Sequence, residues 1–303
     1  MLTTRRPPTL TPTPSRLPSG RPPRRRSTQG SVAWPLVFLI PFVVVFAGFA
    51  LYPLIYEIVI GARPANFATL WANPTYQKAI INTVIFVFFA VNIKMLLALA
   101  LSGAMTSSHK WLRIAAVATV VPWMIPEVAA MMSIRWMLNS TSGLLNGILE
   151  AIGLQGQPWL DRPDLALMSV IAVHVWKLTP FWALTLLAAR LAIPVSVYEA
   201  AAIDGAGKFR TFTGITWPLI AGVYISATIL ASIWAVGDFN SIYLVTGGGP
   251  ADTTQVLATL GVQYGFRSGN PSMGATVVLT ALPVLIPAVV FLIVRARRKG
   301  AIL

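Results

Sequence analysis

The chain has 303 residues, of which 56% are apolar and 11% are charged, and its formal net charge is +14. Apolar content this high, in runs longer than a globular core helix needs, indicates a polytopic membrane protein. There is no cysteine, which excludes disulfides, thiolate chemistry and cysteine metal sites. The excess basic residues lie beside apolar segments without any RNA or DNA motif, so nucleic-acid binding is not predicted.

The first 32 residues contain seven arginines, seven prolines and no acid. A segment of this composition cannot bury enough apolar area to offset its ordering entropy, which predicts a disordered, basic cytoplasmic tail over residues 1–32. A secretory signal is the alternative, but the apolar region after Arg26 is too long for a signal peptide and no small-residue cleavage pattern follows it. Arginine and serine also allow a transit peptide, although the prolines disrupt an amphipathic helix.

Six apolar stretches follow, each close to the roughly 20 residues that a helix needs to cross a bilayer. They predict an all-α membrane protein with six transmembrane helices within residues 33–299. The predicted spans are Ala33–Ile55, Ala79–Gly103, Ile114–Leu138, Leu165–Leu187, Leu219–Ser241 and Met273–Val294.

Basic residues concentrate in the loops on one side of these spans, and such loops are usually cytoplasmic. This asymmetry, with an even number of spans, predicts that both termini and the loop around Glu199 are cytoplasmic. The residues concerned are His109, Lys110 and Arg113, then Arg190, Lys208 and Arg210, and finally Arg295, Arg297, Arg298 and Lys299.

Two spans contain paired prolines: Pro122 and Pro126 in the third, Pro283 and Pro287 in the sixth. Proline frees a backbone carbonyl and kinks a membrane helix where neighbours or water can satisfy that group. A packing kink is the simpler interpretation. A hinge beside a transport pathway is the other, because transporters use broken helices.

The loop at about 194–218 has the pattern of a helix, a turn and a second helix. Pro194 suits a first helical turn, Val195–Ile203 contains good helix formers, and Gly205 can end a helix with a positive φ. From Lys208, an apolar stripe recurs at helical spacing through Phe209, Phe212, Ile215 and Thr216. The segment predicts a knob that docks on a soluble partner. A helix lying on the lipid surface is the alternative, but it predicts a more basic polar face.

Ten residues of this loop match the EAA loop of ABC importer permeases, which contacts the ATPase. A departure is Gly222, where the family often has a second proline. The matching residues are Tyr198, Glu199, Ala200, Ala201, Asp204, Gly205, Ala206, Phe212, Ile215 and Pro218.

A second element resembles the L-T-x-G-G-P turn of carbohydrate-uptake ABC permeases. Its residues are Thr246, Gly248, Gly249 and Pro250, and the resemblance assigns them to an extracytoplasmic turn. The match continues at other points between the first and sixth spans, namely Trp136, Gly143, Asn146, Trp176, Pro180 and Phe181.

Together these elements resemble the transmembrane domain of type I ABC importers, as the maltose F-like or glycerol-3-phosphate A-like member of a permease pair. The resemblance implies a multi-pass protein of the bacterial cytoplasmic membrane that conducts a mono- or oligosaccharide. Its implied partners are a second, maltose G-like permease, ABC ATPase subunits and a solute-binding protein. Glycerol 3-phosphate or a glycerophosphodiester is the alternative substrate, and an ion-coupled carrier working alone is the alternative class.

No ATP-hydrolysing motif accompanies the loop. Gly207-Lys208 fails as a Walker A sequence, because Ala202 and Phe209 stand where glycine and Ser or Thr are required. The chain is therefore expected to be a non-catalytic subunit without cofactor or metal, with ATP and Mg²⁺ on the partner ATPase.

Ionisable groups within spans are functional candidates by default. For Lys94 and Lys177, snorkelling to an interface is the simpler interpretation, and for His174 a hydrogen-bonded packing role. Glu127 is expected to pair with Arg135 or with a neighbouring helix.

The resemblance assigns the substrate-contacting stretch to the fifth span, where aromatic and planar polar groups suit a sugar. The residues predicted to line this pathway are Ser232, Trp234, Asp238, Phe239 and Asn240.

Overall fold

The computed structural model describes residues 33–298, and this part of the chain is helical without any strand. The predicted tail at 1–32 and the residues from Lys299 onward lie outside the described residues. Short π-helical turns occupy Ala47–Leu51, Phe212–Thr216 and Gln263–Arg267. The α-helices are α1 Ala33–Phe46, α2 Tyr52–Gly61, α3 Pro64–Trp71, α4 Pro74–Met105, α5 Lys110–Ala118, α6 Val121–Met124, α7 Glu127–Met137, α8 Leu144–Ala151, α9 Pro163–Leu191, α10 Val195–Ile203, α11 Lys208–Thr211, α12 Trp217–Val236, α13 Asn240–Val245, α14 Leu257–Val262, α15 Pro271–Leu279 and α16 Leu282–Arg298.

Four stretches of the described chain are long and apolar enough to cross a membrane as continuous helices, and two bent helix pairs raise the number to six if each pair is one span. The prediction of an all-α membrane protein is confirmed. The continuous spans are Val37–Gly61, Pro74–Met105, Pro163–Leu191 and Lys208–Val236, and the bent pairs are Lys110–Met124 with Glu127–Met137 and Pro271–Leu279 with Leu282–Val294.

The chain divides into two units between Tyr52 and Pro53. In the first unit, α1 and the π-helical turn that follows it carry large apolar side chains, and none of the residues from Val37 to Tyr52 is buried. The second unit contains the remaining helices and the buried core.

The core of the second unit is built on α4 and α9, which pack side by side. Asn73 caps α4 by accepting a hydrogen bond from the Thr75 amide at 2.8 Å, and Pro163 occupies the first turn of α9. Both helices are apolar over most of their surface, which is typical of helices inside a membrane-protein bundle. Their buried side chains include Phe86, Met95, Ala98, Val170, Trp182 and Leu186.

The third span is broken rather than gently kinked. The axes of the helices on either side of Ile125–Pro126 meet at 102°, a far larger bend than the packing kink that the sequence favoured over Ile114–Leu138. Ile125 adopts an extended conformation (φ −70°, ψ 135°), as the residue before a proline prefers, because the proline ring clashes with a helical predecessor. In the sixth span the bend of 46° lies just before α16, and Pro287 lies inside that helix.

The fifth span also differs from its predicted limits. It runs without interruption from Lys208 to Val236, so Pro218 lies inside a continuous helix instead of opening one. The helix ends at Val236 and not at the predicted Ser241, and Asn240 begins the separate helix α13. Gly237 follows directly after the end of α12, and glycine destabilises a helix interior, which favours a break at this point.

Asn146 organises the segment between α7 and α9. Its amide nitrogen donates to the carbonyls of Ser140 (3.0 Å) and Gln157 (2.9 Å). Its oxygen accepts from the Gln157 amide (2.9 Å) and from the Trp159 indole (2.7 Å). Because Asn146 is only 3% exposed, these four bonds satisfy its side chain inside the fold.

Replacement of Asn146 by alanine is expected to destabilise the subunit by about 1–3 kcal/mol, since it leaves a partly buried indole and partly buried backbone groups without partners. The measurement is the thermal unfolding midpoint of the purified protein in detergent. Asn92→Ala is the matched control: Asn92 is exposed and bonds within its own helix, to the carbonyl of Phe88. Equal midpoints for the two variants would contradict the role of Asn146.

Candidate coupling segment and translocation site

The first helix of the 194–218 loop agrees with the sequence prediction, since α10 spans Val195–Ile203. Its end is a Schellman motif: the Ala206 amide donates to the carbonyl of Ala201 (2.9 Å) and the Gly205 amide to that of Ala202 (3.1 Å). Gly205 has a φ of +71°, the left-handed conformation that glycine adopts without steric strain. The glycine therefore sets the angle at which the chain leaves α10.

The predicted apolar stripe of this loop divides between two faces. Phe212 is half-buried, with its ring 6.4 Å from that of Trp217, and Thr216 is buried with its hydroxyl 3.2 Å from the Tyr198 hydroxyl. By contrast, Phe209 is 81% exposed and Ile203 is 86% exposed. The outward surface therefore includes these two apolar side chains together with exposed acids and the exposed bases Lys208 and Arg210, while the rest of the stripe holds the loop on the helices.

The ten residues that resemble the EAA loop follow the same division. Glu199, Ala200, Asp204, Gly205 and Pro218 are exposed, Tyr198, Ala206, Phe212 and Ile215 are partly buried, and Ala201 is buried.

Arg190, which the sequence suggested only as a topology signal, joins three elements. Its Nε donates to the Ser102 hydroxyl at 2.9 Å and one Nη donates to the Leu99 carbonyl at 3.3 Å, both near the end of α4. Its guanidinium carbon lies 5.7 Å from the centroid of the Phe212 ring, within cation–π range. Arg190 thus connects the 194–218 loop to α4 and α9.

An aromatic cluster lies where α6, α9 and α12 meet. The ring of Phe181 is 5.8 Å from that of Trp123 and 5.6 Å from that of Trp234, and Trp234 is also 5.5 Å from Trp182. Trp234 remains 50% exposed. The sequence indicated Trp234 as a pathway residue but not Trp123 or Phe181, whose proximity depends on the break before Pro126.

The other predicted pathway residues surround the break between α12 and α13. Asn240 is exposed and donates to Glu127 Oε2 at 3.3 Å, so Glu127 contacts a neighbouring helix. Phe239 stacks on Tyr243, with ring centroids 4.5 Å apart. Ser232 lies elsewhere, on an apolar cleft of about 780 Å³ that α12 shares with α4 and α16.

Asp238 is in contact with His174, which is itself in contact with Lys94. His174 Nδ1 is 2.7 Å from Asp238 Oδ2, and Lys94 Nζ is 2.9 Å from His174 Nε2. Lys94 and His174 are each 1% exposed. The expectation that Lys94 snorkels is therefore wrong, while the hydrogen-bonded role of His174 is confirmed.

Lys177 is also buried instead of reaching an interface, which corrects the snorkelling expectation. Its ammonium donates to the carbonyl of Pro122 at 2.7 Å and contacts those of Trp123 and Ile125. These carbonyls lie beside the 102° break, where the helical hydrogen bonds stop. Within the described residues, no group of three His, Asp or Glu side chains is placed to hold a metal ion.

The Thr246–Pro250 turn is held by hydroxyl groups. The Thr254 hydroxyl donates to the Gly249 carbonyl at 2.7 Å and lies 2.8 Å from the Thr246 hydroxyl. Gly248 has a φ of +90°, and a Cβ there would lie 2.4 Å from Gln255, so the turn requires glycine at this position. A polar cleft of about 260 Å³ lies beside the turn, lined by residues that include Arg135, Asp161 and Thr246.

Comparisons with known proteins agree on one family. Residues 32–299 match the binding-protein-dependent transport system inner membrane component family. The trehalose/maltose transport system permease protein MalF of Thermococcus litoralis is 36% identical over 77% of this chain and 79% of that protein. The sulfoquinovosyl glycerol transport system permease protein SmoG of Agrobacterium fabrum is 32% identical over 77% and 76%.

The fold is similar to that of a chain in the crystal structure of a bacterial alginate ABC transporter in complex with an alginate pentasaccharide-bound periplasmic protein. The TM-score is 0.77 at 22% identity, and the match covers 88% of this chain and 96% of that one.

Gly205→Val is expected to weaken retention of the ATPase by about tenfold, because a β-branched residue is strained at positive φ and the exit from α10 must change. The measurement is co-purification with the partner ATPase. Gly207→Val is the matched control: Gly207 has a φ of −67° and, like Gly205, has open space where a Cβ would lie. Similar losses from both substitutions would contradict the role of the Gly205 turn.

Proposed function

Because the chain belongs to the family of binding-protein-dependent transport system inner membrane components, we propose that it forms one half of the translocation pathway of an ATP-driven importer for a mono- or oligosaccharide. The family match over residues 32–299 carries this proposal. The partners are a second permease of the same kind, two ATPase subunits and a solute-binding protein.

The 194–218 loop is the proposed contact with the ATPase. Two features support it: the exposed side chains of Ile203 and Phe209, and the rigid Schellman turn between them. Arg190 ties the loop to the ends of α4 and α9, so movement of the loop is passed to the helices that form the core. In this arrangement the ATPase hydrolyses ATP, and the present chain converts closure of the ATPase subunits into helix movement.

The break between α12 and α13 and the aromatic cluster are the proposed substrate contacts. Trp234 offers an exposed ring near the end of α12, and Asn240 and Glu127, which are hydrogen-bonded to each other, offer planar hydrogen-bonding groups. Ligand sites commonly combine aromatic walls with a few oriented polar groups, and this combination suits a sugar. The transport systems for which the relatives are named, trehalose/maltose and sulfoquinovosyl glycerol, support the same substrate class.

A phosphate-bearing substrate is disfavoured because the two lysines within the spans are buried and already hydrogen-bonded. Lys94 is paired with His174, and Lys177 donates to backbone carbonyls, with exposures of 1% and 3%. Neither ammonium is free to meet a phosphate. A sugar therefore remains the first proposal, ahead of glycerol 3-phosphate or a glycerophosphodiester.

In the proposed orientation, the 194–218 loop and both termini are cytoplasmic and the Thr246–Pro250 turn is on the opposite side of the bacterial cytoplasmic membrane. The distribution of basic residues supports this orientation. The same loop argues against a carrier that works alone, since its exposed apolar side chains serve a soluble partner.

The test is uptake by proteoliposomes that contain the chain with its second permease, ATPase and solute-binding protein. We expect ATP-dependent uptake of trehalose or maltose, and a fall of about tenfold with Trp234→Ala, because the loss of an aromatic contact costs about 1 kcal/mol or more. Trp111→Ala, which removes an 82% exposed indole from α5, is the control and leaves uptake unchanged.

Other outcomes identify the alternatives. ATP-dependent uptake of glycerol 3-phosphate but of neither sugar would replace the proposed substrate. Uptake driven by an ion gradient in liposomes that contain this chain alone would replace the importer with a secondary carrier.

A further inference from the structure

Three ionisable side chains, two of them buried, connect α4, α9 and the break between α12 and α13 in a single file. Lys94 of α4 contacts His174 of α9, with 2.9 Å between Nζ and Nε2. His174 contacts Asp238 in the break between α12 and α13, with 2.7 Å between Nδ1 and Oδ2. The two basic residues are 1% exposed and the Asp238 side chain is 11% exposed. The ring of Phe86 packs edge-on against that of His174, with 4.9 Å between the two centroids.

The chemistry of the groups determines the direction of each hydrogen bond. A lysine ammonium has only donors, so Nε2 of His174 must accept. The imidazole is therefore the neutral tautomer with its proton on Nδ1, and it donates that proton to the carboxylate of Asp238. We call this file, Lys94–His174–Asp238, the relay. It pairs one positive and one negative charge through a neutral ring.

Asp238 is the member that acts on the pathway. Its second oxygen accepts a hydrogen bond from the Ser241 amide at 3.1 Å, in the first turn of α13. Its own amide donates to the Ala235 carbonyl at 3.3 Å, in the last turn of α12. The carboxylate thus ties α9 to the α13 side of the break, while the backbone of Asp238 stays bonded to the end of α12. On the break itself, Gly237 and Asn240 are exposed.

The stability of the folded subunit alone gives no reason to bury the three side chains of the relay. Buried ion pairs are often replaced by apolar side chains without loss of stability, whereas removal of a single partner leaves an uncompensated charge. A buried network does, however, specify one arrangement of the elements it joins. The arrangement specified here is the position of the break.

We infer that Lys94 and His174 are positioning residues for transport: they orient Asp238, and through it they direct Phe239 and Asn240 toward the substrate. The inference deepens the proposed function and rests on it for the link to transport. The positioning itself can be tested without a substrate.

The substrate-free test uses the absence of native cysteine. Asn240→Cys provides one thiol on the exposed side of the break, and its labelling rate with a water-soluble maleimide is measured in the assembled importer. We expect His174→Leu to change that rate about fivefold or more, because leucine neither accepts from Lys94 nor donates to Asp238. His174→Gln, whose amide can do both, keeps the rate within about twofold.

A matched control lies on the same helix. Thr179 is 5% exposed and its hydroxyl donates to the Val175 carbonyl within α9. Thr179→Val removes a buried polar group without touching the relay, so the labelling rate should not change. Equal rates for His174→Leu, His174→Gln and the original His174 would overturn the inference.

The second measurement is the number of sugar molecules transported per ATP hydrolysed, which does not depend on how much complex assembles. We expect His174→Leu and Lys94→Met to lower this ratio about tenfold, and His174→Gln to preserve it. Lys94→Met with Asp238→Asn should be no worse than Lys94→Met alone, because the double change leaves no unpaired charge. If the double substitution instead lowered the ratio by the product of the two single-substitution effects, the two residues would act independently and the relay would be overturned.

The two measurements separate the possible failures. If the unsubstituted importer moves no sugar while His174→Leu still alters the labelling of Asn240→Cys, the proposed substrate is wrong and the positioning stands. If sugar is transported but His174→Leu changes neither the labelling rate nor the number of sugars transported per ATP, the proposed function stands and the relay does not position the break. If the Lys94→Met importer does not assemble, the comparison of His174→Leu with His174→Gln still tests whether the relay positions the break.

Discussion

The structure depends on the polar side chains that α9 places against two broken helices. A membrane helix that stops inside the protein leaves carbonyls and amides that the hydrocarbon layer cannot satisfy. Lys177 donates to the carbonyls left at the end of α6, and His174, one turn earlier, binds Asp238 at the end of α12. The α9 helix thus supplies a hydrogen-bond partner at both breaks, to backbone carbonyls at the first and to the Asp238 carboxylate at the second. The two broken segments are in turn joined by the bond from Asn240 to Glu127.

This constraint also balances the buried charge. Lys94 is matched by Asp238 through His174, and Lys177 is surrounded by carbonyl oxygens with Glu127 at the start of the next helix. Isolated buried charges would cost several kcal/mol each, and these contacts offset that cost and leave neither lysine free. The two lysines therefore add no uncompensated positive charge near the break. A neutral, hydroxyl-rich substrate suits such a site better than a phosphate ester does.

The sequence predicted the elements that depend on local pattern. Apolar length located the spans, and the intrinsic preferences around Pro194 and Gly205 predicted α10 from Val195 to Ile203. It did not predict where helices break or which polar groups meet. Apolar composition is the same on both sides of Ile125, and the partner of Lys94 lies 80 residues away, so neither feature leaves a periodic signal. The candidate site was thus predicted in part: Trp234, Asp238 and Asn240 gather near α9, whereas Ser232 lies on a different cleft.

The 194–218 loop and the break between α12 and α13 both contact the same pair of helices, α4 and α9. Arg190 of α9 binds the end of α4 and lies over the Phe212 ring of the loop. About two to four turns earlier along α4 and α9, Lys94 and His174 hold the break. Since α4 and α9 pack together along this length, the proposed mechanism has a displacement of the loop move the two helices together. The break at Asp238 is attached to that pair by a hydrogen-bonded carboxylate, a contact that can shift or part more easily than packed apolar side chains. A rigid pair with one polar attachment is the simplest arrangement by which force at the loop can change the exposure of Asn240.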